Sequence, residues 1–170
     1  VFATACAEAY PDGAGGVWCR TISSTNADSQ DLVHAGADGG ELSREILGPR
    51  SYPRLAVAPS GVVAGVNNEN VVTFGGQPVG TPRGAGWVAV RTAAGQGWQH
   101  YFTNQVQFAD VKWATDGSLL VLGTCAGTQT VPLPLACDAD PGTSLFTFAR
   151  DGASVTRRAL PNITSPRRLL

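Results

Sequence analysis

No methionine, two histidines and few charges mark this chain of 170 residues. Lys and Arg number 12 against 13 Asp and Glu, a formal net charge of −1. A nucleic-acid binder needs a basic face to displace counterions from phosphates, so that class is excluded. No apolar run approaches the roughly 18 residues of a membrane-spanning helix. No segment sustains the 3.6-residue apolar stripe of an amphipathic helix either. Short C-x-x-C spacings are missing, which removes the usual zinc frameworks. With His34 and His100 the only histidines and no nucleophile-elbow pattern, a Ser-His-Asp catalyst has little to be built from. Met is absent at position 1 too, so a processed start or an internal segment is expected; no signal-peptide pattern is visible.

Glycine is plentiful, at 21 residues with 11 prolines, and the 43% hydrophobic content suffices for a sizeable core in one domain. The glycines punctuate a repeat. Arg54-Leu-Ala-Val-Ala-Pro-Ser-Gly61 lines up with Asp110-Val-Lys-Trp-Ala-Thr-Asp-Gly117, and Trp87-Val-Ala-Val-Arg with Leu145-Phe-Thr-Phe-Ala. Asp31 to Leu47 answers Ser144 to Leu160, and Val1 to Cys6 answers Leu120 to Cys125. Gly39 to Gly95 and Gly61 to Gly117 both span 56 residues, which sets the period.

Asp38-Gly39, Ser60-Gly61, Asp116-Gly117 and Asp151-Gly152 separate short apolar runs. Gly accepts the positive φ of a tight turn and the preceding Asp or Ser bonds the local backbone, so these dipeptides mark strand reversals. Strands are expected at Arg54–Ala58, Val62–Val66, Trp87–Arg91 and Trp98–Thr103, and again at Asp110–Ala114, Leu119–Thr124, Leu145–Ala149 and Val155–Leu160. A four-stranded antiparallel unit at this period fits the blade of a β-propeller, whose radial packing leaves few open edges. The expectation is an all-β chain of about three blades, 1–50, 51–106 and 107–161, with the start of another at 162–170. The frame is permuted: second, third and fourth strands open the chain and a first strand ends it. That suits a segment of a larger ring, or a chain completed by another copy. Ser165-Pro-Arg-Arg-Leu169 resembles Tyr52-Pro-Arg-Leu55 and favours the segment.

Cys6 with Cys19, and Cys125 with Cys137, enclose loops of similar length between the expected second and third strands. Two disulfides there would each contribute roughly 3 kcal/mol by loop-closure arithmetic and imply an oxidising, extracellular or periplasmic setting. Four buried free thiols are the alternative.

Val72-Thr-Phe-Gly-Gly-Gln-Pro78, Gly86-Trp-Val-Ala-Val-Arg91, Gly95 and Trp98, preceded by Leu55-Ala-Val-Ala-Pro-Ser-Gly61, resemble the β-propeller repeats of large secreted and surface proteins of bacteria. The resemblance covers the middle blade best. In the first and third blades, Cys-bounded loops replace the Gly-Gly segment. It implies a secreted or surface-attached scaffold and transfers no catalytic residue.

The histidines read as solvent-facing or edge residues, and Asp38, Asp116 and Asp151 as turn residues. Trp87, Trp98, Tyr101, Trp113, Phe146 and Phe148 read as core between blades. Tyr10 and Trp18, inside the first Cys-bounded loop, are the candidate binding residues, because loops at Tyr10–Trp18, Asn67–Gly86 and Ala126–Asp140 would gather on one rim. Asp138 and Asp140 stand two apart in a loop, a spacing seen around Ca²⁺, but a calcium loop needs further acidic ligands; no other cofactor is implied. Arg157, Arg158, Arg167 and Arg168 read as a solvated edge. The function expected is binding or adhesion, with a surface glycan, a protein or further copies of the chain as partner and without catalysis. A fibre subunit joined by strand exchange and a surface glycan-acting enzyme are the alternatives. Thiol titration of the denatured, unreduced protein should find no free cysteine; four reactive groups would remove the oxidising compartment.

Overall fold

Three hairpin turns of one length organise the chain. Asp12 N–H bonds the Gly16 carbonyl, Ala58 N–H that of Val62 and Ala114 N–H that of Ser118, at 3.1, 2.9 and 2.9 Å. Gly61 and Gly117 supply φ of 76° and 82° in the second and third turns, a conformation that costs an L side chain about 1–2 kcal/mol. The computed structural model describes residues 6–22, 29–49, 53–68, 72–79, 86–92, 95–102, 106–126, 128–129, 135–136, 142–161, 163 and 168–169.

Each turn joins the first two strands of a four-stranded antiparallel sheet. The first sheet is β1 (Glu8–Pro11), β2 (Val17–Ile22), β3 (Ser29–Ala35) and β4 (Glu41–Pro49). In the middle sheet are β5 (Arg54–Val57), β6 (Val63–Asn67), β9 (Trp87–Thr92) and β10 (Gly95–Tyr101), with a ribbon of β7 (Val72–Phe74) and β8 (Gln77–Val79) inserted after β6. The third holds β11 (Val106–Trp113), β12 (Leu119–Cys125), β15 (Gly142–Phe148) and β16 (Val155–Ala159), with the short pair β13 (Thr128–Gln129) and β14 (Leu135–Ala136) between its second and third strands. Strand order follows chain order in every sheet. Among the described residues no helix is long and apolar enough to cross a membrane.

Burial explains the run of apolar residues in the middle sheet. Val63 to Asn67 and Trp87 to Val90 are buried at every position, the pattern of strands covered on both faces. On one side Leu55, Val63, Trp87 and Ala89 pack with Trp18, Leu32 and Leu47 of the first sheet. Phe74 and Val79 of the ribbon complete that cluster. On the other side Ala56, Ala64, Val66, Val88 and Val90 meet Val111, Leu119, Val121, Phe146 and Phe148 of the third sheet. Each large apolar side chain fully buried this way contributes roughly 1.5–3 kcal/mol.

Polar contacts fix how the sheets face. The indole of Trp98 donates to the Arg150 carbonyl at 3.0 Å and that of Trp113 to the Ala56 carbonyl at 3.2 Å. His100 Nε2 lies 2.7 Å from the Gly152 carbonyl. Asn68 grips both backbone groups of Phe108, donating to its carbonyl at 2.7 Å and accepting its N–H at 2.5 Å. Phe108 stands where the β11–β12 register slips, and a bulge of that kind leaves backbone groups to be paired elsewhere. Between the first and middle sheets, Glu45 accepts the Gly76 N–H at 2.7 Å and faces Arg91 at 3.6 Å. The Val-x-Phe-Gly-Gly segment thus has a physical reason: Phe74 enters the core while Gly75 and Gly76, at φ 66° and 77°, turn the ribbon onto Glu45.

The expected strands of the middle and third sheets are present, and the expected all-β class with four-stranded antiparallel units holds. The first sheet departs from expectation. Its second strand is Val17–Ile22, not the segment ending at Cys6, and Glu8–Pro11 supplies a first strand of its own. Cys6 is bridged to Cys19, but this bond ties the chain before β1 to β2; it does not staple a loop between second and third strands. Cys125 is likewise disulfide-bonded, and Cys137 lies outside the described residues. Neither histidine faces solvent freely: His100 packs between sheets against Trp98 and Phe148, and His34 stacks on Trp18.

An added Cβ at Gly152 would meet the Trp98 ring at 2.5 Å with φ at +72°, whereas at Gly61 it would meet nothing within 4 Å. In urea denaturation Gly61→Ala should cost about 1–2 kcal/mol from the backbone alone. Gly152→Ala should cost about 1–3 kcal/mol more, from overpacking.

Candidate functional site

Equal turn lengths place three residues at equivalent points of the three first strands. Glu8, Arg54 and Asp110 each stand four residues before the residue that closes the turn, namely Asp12, Ala58 and Ala114. β5 packs against both β1 and β11, so the three positions border one cleft of about 530 Å³. Tyr10, Leu55, Val57, Lys112 and Trp113 line it further, and Arg168 reaches it from the C-terminal segment. That segment is tied across the third sheet: Leu160 N–H bonds the Thr143 carbonyl, Thr143 Oγ1 donates to the Ile163 carbonyl, and Leu169 N–H donates to Asp110 Oδ2 at 2.6 Å.

Glu8 is the electrostatic centre of the cleft wall. Its carboxylate accepts from the Tyr10 hydroxyl at 2.6 Å, from Arg20 at 3.1 Å and from Arg54 at 3.2 Å. Burial alone pushes this carboxyl up, but the Tyr10 hydroxyl bond and the two guanidinium charges outweigh it and hold the group below the usual carboxylate range. Burial, and then the bond to Glu8, push the Tyr10 phenol well above its ordinary value. Arg20, with a side chain only 10% exposed, also donates to Gln30 Oε1 at 2.7 Å. Glu8 is therefore a fixed, ionised group.

A second constellation sits at the first turn. Asp12 Oδ1 accepts the N–H of Ala14 and of Gly16, at 2.8 and 2.9 Å, while Oδ2 lies 2.9 Å from His34 Nε2. The His34 hydrogen bond, then the Ala14 amide, hold the Asp12 carboxyl below its ordinary value. His34 stacks on Trp18 with ring centroids 4.3 Å apart and planes within 5°, and Arg91 covers Trp18 at 4.7 Å. Arg91 comes from the middle sheet, so this stack joins two sheets.

The expected binding residues thus part company. Tyr10 and Trp18 are not in a loop; they are cross-strand partners on β1 and β2. Tyr10 is half-buried and lines the cleft. Trp18 is 5% exposed and belongs to the core between sheets. Asp138 and Asp140 lie outside the described residues, and among the described residues no group of three or more His, Cys, Asp or Glu is placed to hold a metal. Asp38, Asp116 and Asp151 accept the backbone N–H two residues on, at Gly40, Ser118 and Ala153, as turn residues do. Trp87, Phe146 and Phe148 are fully buried, and Trp98, Tyr101 and Trp113 pack partly buried against the clusters. Of the arginines expected at a solvated edge, Arg157 bonds Ser144 Oγ at 2.8 Å and Arg168 lines the cleft. Arg167 lies outside the described residues. Glu8, Arg54, Asp110 and Lys112 are not among the residues expected from the sequence, although a charged residue four positions before each of these turn closures is a signal for the first three.

Because the folded-state carboxyl of Glu8 titrates below its unfolded value, its stabilisation is present above about pH 4.5 and fades as pH falls through the lowered folded value. Glu8→Gln should lose about 1–3 kcal/mol at pH 7, the worth of hydrogen bonds to charged groups and of an arginine left without its carboxylate. The difference from the parent should shrink toward pH 3 in urea melts. No protein-family model matches this chain, and no curated protein is similar to it.

Proposed function

We propose that the three sheets are consecutive blades of a β-propeller, and that the protein is an extracellular or cell-surface scaffold that binds a ligand or partner at the cleft where its inner strands meet. One observation carries this reading: three first strands, each followed by a turn of the same length, lie beside one shared cleft. Radial packing produces that arrangement, because the first strand of every blade faces the axis. The Arg54 and Arg168 segments, alike in sequence, both reach the cleft, which fits a place among bacterial surface propeller repeats. The Cys6–Cys19 bond favours an oxidising compartment.

Adhesion or binding is preferred over catalysis on chemical grounds. A glycosidase acid must hold its proton near neutral pH, and Glu8 on the cleft wall is held ionised by Tyr10 and two arginines. A surface glycan or a protein is the partner class, and the net charge of −1 does not suit nucleic acid.

Two measurements test the proposal. Antibodies against the chain should label intact, unpermeabilised cells, and a density map of the native protein should place the inner strands around an axis. Labelling only after lysis would overturn the location. Two facing layers of strands would overturn the propeller.

A further inference from the structure

Lys112 is the only lysine in the chain, and it stands on β11 at the cleft. The cleft's carboxylates are engaged: Glu8 by Tyr10, Arg20 and Arg54, and Asp110 by the Leu169 N–H. Its cations are less so. Lys112 and Arg168 are exposed, and among the described residues neither has an ion-pair partner. Among the lining residues Arg54, Lys112 and Arg168 outnumber Glu8 and Asp110, against the −1 of the whole chain. Cleft walls of low dielectric focus such a field on the space between them.

The aromatic side chains have their polar ends committed. The Tyr10 hydroxyl donates to Glu8 and the Trp113 indole to the Ala56 carbonyl, so what they offer a ligand is ring surface in fixed orientation. A volume of about 530 Å³ falls within the roughly 300–1,000 Å³ of small-molecule sites. Guanidinium groups match carboxylate or sulfate with paired donors, and an ammonium adds a point charge.

We infer that the cleft binds an anionic saccharide, with its carboxylate or sulfate groups held by Lys112 and Arg168 and its ring against Tyr10 and Trp113. The inference rests on the proposal that this cleft is the scaffold's binding site, and it names the ligand class.

The single lysine makes the test direct. Reductive ¹³C-methylation preserves the charge of Lys112 and yields one side-chain amine signal in the spectrum. Trigalacturonate or a sulfated disaccharide should move that signal saturably, and maltotriose should not. A response to only one charged probe identifies carboxylate or sulfate as the recognised group. By calorimetry, Lys112→Gln and Arg168→Gln should each weaken binding of the responding probe about tenfold. Arg158→Gln, on the outer strand β16, should leave it unchanged. Absence of a saturable shift with both charged probes, or an equal shift with maltotriose, overturns the inference. Either result leaves the scaffold proposal standing if intact cells are still labelled and the inner strands surround an axis; failure of those two observations sinks the scaffold proposal, whatever the probes do.

Discussion

A four-stranded sheet that is apolar on both faces cannot be left exposed on either, and the middle sheet of this chain is such a sheet. Val63, Ala64 and Val66, with Trp87, Val88, Ala89 and Val90, are all buried, so the first and third sheets must cover it from opposite sides. The rest of the structure follows from that requirement. Hydrophobic burial is non-directional and would tolerate many sheet angles. The choice among them is made by directional contacts at the seams: Asn68 on the Phe108 backbone, Trp113 on Ala56, Trp98 on Arg150, and Glu45 on the Gly76 amide. Those of Asn68 and Trp113 also satisfy polar groups that partial burial would otherwise leave costly.

Once the sheets are clamped face to face, their first strands have to come together at one end of the stack. Turns of equal length then carry Glu8, Arg54 and Asp110 to equivalent positions of the three first strands. Charged groups brought this close need partners, and the first sheet provides them from behind, where Arg20 reaches Glu8 and is itself held by Gln30. The Asp12, His34, Trp18 and Arg91 stack performs the corresponding task at the seam, with a hydrogen bond at one end and a cation over a ring at the other. Both arrangements tie a carboxylate to a partner from another strand, Glu8 to Arg20 and Asp12 to His34.

The strands of the middle and third sheets are legible because short apolar runs and the Asp-Gly or Ser-Gly turns that bound them are local properties. Gly117 and Gly152 behave as their dipeptides suggested. In the first sheet the echo of Cys125 in Cys6 does not mark strand register. Register is set by which residues must point inward, and in β2 that is Trp18, facing Tyr10 on one neighbour and His34 on the other. A cysteine goes wherever its bridge partner lies, and Cys6 sits outside the sheet altogether. Trp18 looked like a loop residue for the same reason. The cleft is illegible at a different level: Glu8, Arg54 and Asp110 are far apart in the chain, and only the common distance to a turn links them. Arg168 in particular reads as one more basic residue of the tail until the Leu169 amide is seen on Asp110.

The same geometry resolves a liability and creates a site. Strands β1, β5 and β11 are each the first strand of a sheet and so carry an unpaired backbone edge, which in water invites pairing with other chains. The described residues of these three strands lie side by side around one cleft without pairing to one another. Among the described residues these edges share no ladder, so a gap remains between them. A gap bounded by backbone edges is polar by construction and recruits charged side chains at its rim. Arg54, Lys112 and Arg168 at that rim outnumber Glu8 and Asp110, and an anion is the occupant that leaves the fewest of those charges unmet.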